Sequence, residues 1–215
     1  MNVRGIAEPV RRLRQTALRP APTIGFERPP AHLLASLRAA AAEAAAAAGA
    51  LALLEGAPRS CSSLLNELGD ARTRVEMHVR EVLGLRSTGI DRRVLASATV
   101  ALGDIADGAH DAAEWWCRSA GCEPDVVGLA GALRDATRSL ADTVEMLPDR
   151  RAAGSAVDVH RRVSEGRRLA RRARAAAIEH GEPREVLGRM AAIVAVERAL
   201  AACGRAASAL QRLAA

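Results

Sequence analysis

From Leu33 onward, apolar residues recur every three or four positions and strand signals are absent, so the pattern predicts an all-helical chain. Punctuation divides it into six helices. The first predicted helix runs from about Pro30 to Glu55 and stops at "EGAP". The second opens near Ser60, whose hydroxyl suits an N-cap, and ends around "LGLRSTG". The third opens at Asp91, again a capping type, and runs to about Ser119. Pro124 sits in the first turn of the fourth, which ends before Pro148. The fifth spans about Asp149 to His180 with Gly181 as its C-cap, and Pro183 opens a sixth that continues to the C-terminus.

Two stripes define the buried faces. In the third helix Val94, Ala98, Ala101, Ile105, Ala112 and Trp116 share one side; in the fifth, Val159, Val163, Gly166, Ala170, Ala173 and Ala177 form a narrow row of small residues. Connections are short, so successive helices pack antiparallel, as one elongated bundle or as two three-helix units in tandem. Residues 1–29 are rich in proline and arginine with little periodicity, and read as a flexible arm.

Composition adds two constraints. Aromatic residues are only 1%, namely Phe26, Trp115 and Trp116, so the core must be aliphatic and alanine-rich, which brings helices close. Lysine is absent, and all 31 basic residues are arginine. The net charge of +6 and a pI near 10.6 favour an anionic partner: phosphate, nucleic acid or an anionic membrane face. Seven arginines fall between Arg161 and Arg174, and Arg161, Arg168, Arg171 and Arg172 share an arc as a candidate anion-binding face. The same arginines also serve simply to solvate the helix.

Candidate chemistry is sparse. Cys61, Cys117, Cys122 and Cys203 form no C-x-x-C and read as reduced thiols of a cytoplasmic protein. His32, His78, His110, His160 and His180 are scattered. "GDIADGAHD" puts Asp104, Asp107, His110 and Asp111 on neighbouring turns, as a solvated acidic face or a point of cation contact. No phosphate-binding glycine loop, G-x-S-x-G or H-E-x-x-H occurs, and no nucleophile has a base beside it, which argues against an enzyme. The apolar "AAAAEAAAAAGALALL" is interrupted by Glu43 and preceded by Arg38, so no transmembrane segment is predicted.

Four motifs in order carry a family resemblance. "GIDRRVLASATVALGDIADGAHDAAEWW" resembles the turn and acidic helix of PhoU-like, Pit-accessory proteins; "VSEGRRLARRARAAAIEHGEPREVL" is similar to the family's E-x-E-G-D helix; "IVAVERALAACGRAASAL" resembles its closing helix; "RVEMHV" resembles part of its second. The resemblance covers about Leu33 to the C-terminus. It implies a six-helix bundle of two three-helix repeats, about 30–120 and about 122–215. It further implies a regulatory role in phosphate transport, with a phosphate permease or another membrane-associated protein as partner. The expected location is cytoplasmic, at the inner face of the membrane. A homo-oligomer is compatible with it. The alternative function is an Arg-rich protein binding nucleic acid or anionic lipid, with nucleic acid the less favoured because no aromatic residues lie among the arginines.

The family pairs carboxylates four residues apart to hold metal ions, and here every pair is broken. Asp70 faces Arg74 in the second helix, and Gly103 precedes Asp107 in the third. Val163 and Arg167 stand in the fifth, Glu197 and Ala201 in the sixth. No metal or other cofactor is therefore expected. A guanidinium can replace a metal cation beside a carboxylate, so Arg74 is expected to pair with Asp107, and Arg167 with Glu197, as internal salt bridges.

Overall fold

The computed structural model describes residues 30–53, 61–84, 91–118, 124–149, 151–180 and 183–214. The arm at 1–29, the Ser60 cap and the Gly181 cap lie outside them. The described residues form six α-helices and no strand: α1 (Ala31–Ala52), α2 (Cys61–Gly84), α3 (Arg92–Arg118), α4 (Pro124–Glu145), α5 (Ala152–His180) and α6 (Pro183–Ala214).

The helix ends follow local chemistry. Asp91 caps α3, its Oδ1 accepting from the backbone N–H of Arg93 at 2.9 Å and of Val94 at 3.3 Å. Pro124 and Pro183 each open a helix, where a missing N–H is harmless. The fifth helix starts three residues later than predicted, because Leu147–Asp149 forms a 3₁₀ turn that holds Pro148 and reverses the chain.

The packing is aliphatic and close. Helices α1, α2 and α3 contact one another, as do α4, α5 and α6, and the two sets meet through α1–α4 and the extensive α3–α6 seam. One core runs through all six helices, built from leucines such as Leu37, Leu68, Leu102, Leu133 and Leu200 with alanines between them. Helix α1 is long and apolar enough to cross a membrane by length and composition, but half of its most apolar stretch is buried against neighbouring helices, where it packs as a core helix. Buried Thr99, Thr137 and Thr143 return their hydroxyl protons to helix carbonyls, leaving no unmet donor.

The α3–α6 seam is antiparallel and unusually tight. Asp104 bonds Arg205 at 2.6 Å and Asp111 bonds Arg198 at 2.5 Å, so both partners step by seven residues in opposite directions. Between these rungs Gly108 lies against α6: a Cβ there would come within 2.8 Å of the Ala199 Cβ and 2.9 Å of the Ala195 carbonyl oxygen. Only glycine fits that approach.

Candidate functional site

Side chains at the broken motif positions separate into two environments. In the first half, Asp70 is exposed and Gly103 is half-buried against Val79. Arg74 does not reach Asp107; its Nε pairs with Glu43 of α1 at 3.0 Å. Asp107 is held instead by Arg72, at 2.7 Å. Two residues along a helix turn the side chain by roughly 200°, so Arg72 faces α3 while Arg74 faces α1. The expected Arg74–Asp107 bridge is thus replaced by its neighbour's.

The second expected bridge is also replaced. Glu197 pairs with Arg174, not Arg167. Helical side chains lean toward their own N-terminus, so Arg174 leans back onto the level of Glu197, while Arg167 leans away toward Ala201. Asp107 and Glu197 therefore do each find a guanidinium, but from a different position.

The acidic row of α3 is covered in the same way. Asp104, Asp107 and Asp111 take Arg205, Arg72 and Arg198 respectively. Asp107 has its carboxyl held above the usual value, first by loss of water around it; Arg72 opposes this, and Glu76, Asp111 and Asp104 add to it. Farther along, His110, Asp111 and Glu114 bring their ligand-type atoms within 4.8 Å of one another. Two of those three already hold arginines, Asp111 with Arg198 and Glu114 with Arg118. In the second half, Val163, Arg167 and Ala201 offer no oxygen to a cation, so the residues there do not fit the metal ions that such a fold implies.

What they do form is a groove of about 480 Å³ between α5 and α6, closed on one side by Ser97 of α3. Helix α5 contributes His160, Val163, Ser164 and Arg167, and α6 contributes Ala201, Gly204, Arg205, Ser208 and Arg212. Positions 160, 164 and 167 recur on one face, as do 201, 204, 208 and 212, and the antiparallel pairing sets the two faces together. His160 Nε2 lies 3.4 Å from Ser208 Oγ, while Ser164 and Ser208 donate to the carbonyls of His160 and Gly204 at 2.9 and 3.0 Å. The residues of this groove were not grouped by sequence reading, although their helical spacing was visible.

The four arginines of the α5 arc are exposed. Arg161 pairs with Asp158 at 3.0 Å, and Arg168, Arg171 and Arg172 are exposed without an acidic partner among the described residues. Arg162, at the stripe's edge, is half-buried 3.9 Å from Asp135.

No family model and no curated protein matches the sequence. The fold has a solved counterpart in a PhoU-like protein from Shewanella oneidensis MR-1, with a TM-score of 0.63 over 85% of this chain and 98% of that one, at 16% identity. The chain has a PhoU-like, all-helical fold.

Proposed function

We propose that the chain is a non-enzymatic accessory or regulatory protein of inorganic phosphate transport. It works by contact with a phosphate permease or another membrane-associated protein on the cytoplasmic side. The observation that carries this reading is the PhoU-like fold over most of the chain, joined to the four sequence motifs in matching order. Regulation by contact asks for exposed recognition groups in place of a reacting centre. Ile178 and Leu187, 67% and 74% exposed, present apolar surface on either side of the α5–α6 connection.

The experiment is affinity purification of the tagged protein from native membranes, coupled to phosphate uptake in a deletion strain. A permease in the eluate and altered uptake are the expected results. Uptake unchanged by deletion, with no permease recovered, sinks the transport role.

A second reading draws on the unpartnered arginines of α5. Arg168, Arg171 and Arg172 are free to meet a polyanion such as nucleic acid or an anionic lipid surface. Gel shift and liposome sedimentation at low and moderate salt test it. Binding in neither assay removes it.

A further inference from the structure

The groove between α5 and α6 holds cations and hydrogen-bond donors but no acid. Arg167, Arg205 and Arg212 stand around it, and only Arg205 is neutralised, by Asp104 at 2.6 Å. Arg167 and Arg212 have no carboxylate partner among the described residues. Three hydroxyls, from Ser97, Ser164 and Ser208, and the His160 ring complete the lining. Ser164 and Ser208 give their protons to helix carbonyls, bonds they can surrender to a ligand because those carbonyls also accept within the helix. The floor is Val163, Ala201 and Gly204, whose small size leaves the space open.

Charge decides what can enter. Uncompensated guanidiniums repel a metal ion or an ammonium group. No aromatic residue lines the groove, so a flat ring finds no stacking platform. Guanidiniums and hydroxyls do match an oxyanion, which accepts bidentate bonds from arginine and single bonds from serine. Donors come from three helices, an arrangement suited to a tetrahedral anion more than to a planar carboxylate. A volume of about 480 Å³ lies in the range of small-molecule sites and leaves room for more than the bare anion. The geometry points to a binding site for a phosphate group, borne by inorganic phosphate or by a phosphomonoester, in the groove of Arg167, Arg212, Ser164, Ser208 and His160. Where a metal-holding fold would place carboxylates, this chain has changed the sign of the site. The inference rests on the groove alone and not on the transport role: a protein that binds phosphate yet leaves uptake unchanged and recovers no permease supports the one and sinks the other.

Isothermal titration calorimetry on the full chain tests it with inorganic phosphate, glycerol 3-phosphate, and vesicles of phosphatidylcholine with and without phosphatidic acid. Saturable binding of at least one phosphate-bearing probe is expected. Free phosphate or glycerol phosphate marks a soluble ligand, and phosphatidic acid vesicles alone mark a lipid headgroup, the same chemistry from another source. Arg167→Glu and Arg212→Glu should each weaken binding at least about tenfold, the scale of one charge-assisted hydrogen bond. Gly204→Leu should weaken it as well, by filling the groove without altering charge; the nearest atoms to a Cβ there are 3.9 Å away, so the backbone tolerates one. Arg80→Glu, on α2 outside the groove and with its side chain 81% exposed, should leave binding within about twofold, roughly 0.4 kcal/mol. Thermal melts confirm that the variants fold. No binding of any probe overturns the proposal. So does a loss in Arg80→Glu equal to that in Arg167→Glu, which would assign the anion to diffuse surface charge.

Discussion

At Cys203 the thiol is fully buried on α6, and the absence of water around it pushes its pKa up to about 12. A thiol that does not ionise does not react. Peptide mapping after brief alkylation at pH 8 should find Cys61, which is exposed, modified in the native protein, and Cys203 modified only after denaturation. Native labelling of Cys203 would mean that the core opens. Asp107 shows the same effect at a half-exposed acid, whose ionised form the fold also disfavours. Its carboxyl pKa is raised on folding, so its contribution to stability is complete below the unfolded value and fades as pH climbs through the folded one. Asp107→Asn keeps the side chain neutral at every pH. The variant should match the parent near pH 3 and be the more stable of the two at pH 7, as read from denaturant midpoints. A variant less stable at pH 7 would show that the Arg72 pair outweighs the loss of water.

Among the elements, two glycines lie against the same helix, α6, with different consequences. A Cβ at Gly108 meets α6 backbone and the Ala199 Cβ, none of which can yield without moving the helix. A Cβ at Gly166 would meet the end of the Leu200 side chain at 2.6 Å, which can change rotamer within the core. Gly108→Ala should therefore destabilise by about 2 kcal/mol or more, and Gly166→Ala by roughly half that, after allowing for the helix preference of alanine. Equal losses in chemical denaturation would show that the α3–α6 seam relaxes freely. The same scale explains what sequence could disclose. Helix number and most ends were legible because Asp91, Pro124 and Pro183 act within their own turn. The stripe Val159 to Ala177 was legible because burial of one face imposes its period, and every member is buried. Partner choice between helices was not. Periodicity orients Arg72 and Arg74 on their own helix but does not say which neighbour each direction meets, and an arginine reaches far enough to bond a carboxylate more than a turn away. Hence Asp107 and Glu197 found guanidiniums at Arg72 and Arg174. The groove was hidden for the same reason: its lining is divided among three helices.

Across the whole molecule, one core joins both sets of three helices, and the seam that unites them is close-packed and alanine-lined. Neither set has an apolar face that it could expose without losing that packing. Calorimetry should accordingly show a single unfolding transition, with van't Hoff and calorimetric enthalpies in agreement. Two resolved transitions would show that the halves fold independently.

The paired rungs of that seam have a mechanical consequence. Asp104–Arg205 and Asp111–Arg198 stand seven residues apart on both helices, about 10 Å, with Gly108 seated between them like a key in a slot. A ratchet of one turn, about 5.4 Å, would pull both carboxylates off their arginines and drive the Ala199 methyl out of its recess. The half-exposed ion pairs supply at most about 1 kcal/mol each, so the steric key is the stronger stop. Sliding of one half along the other is thereby blocked. A partner docking as proposed above would meet the α3–α6 axis as a fixed shaft, and only the outer helices and grooves would be left to yield to it.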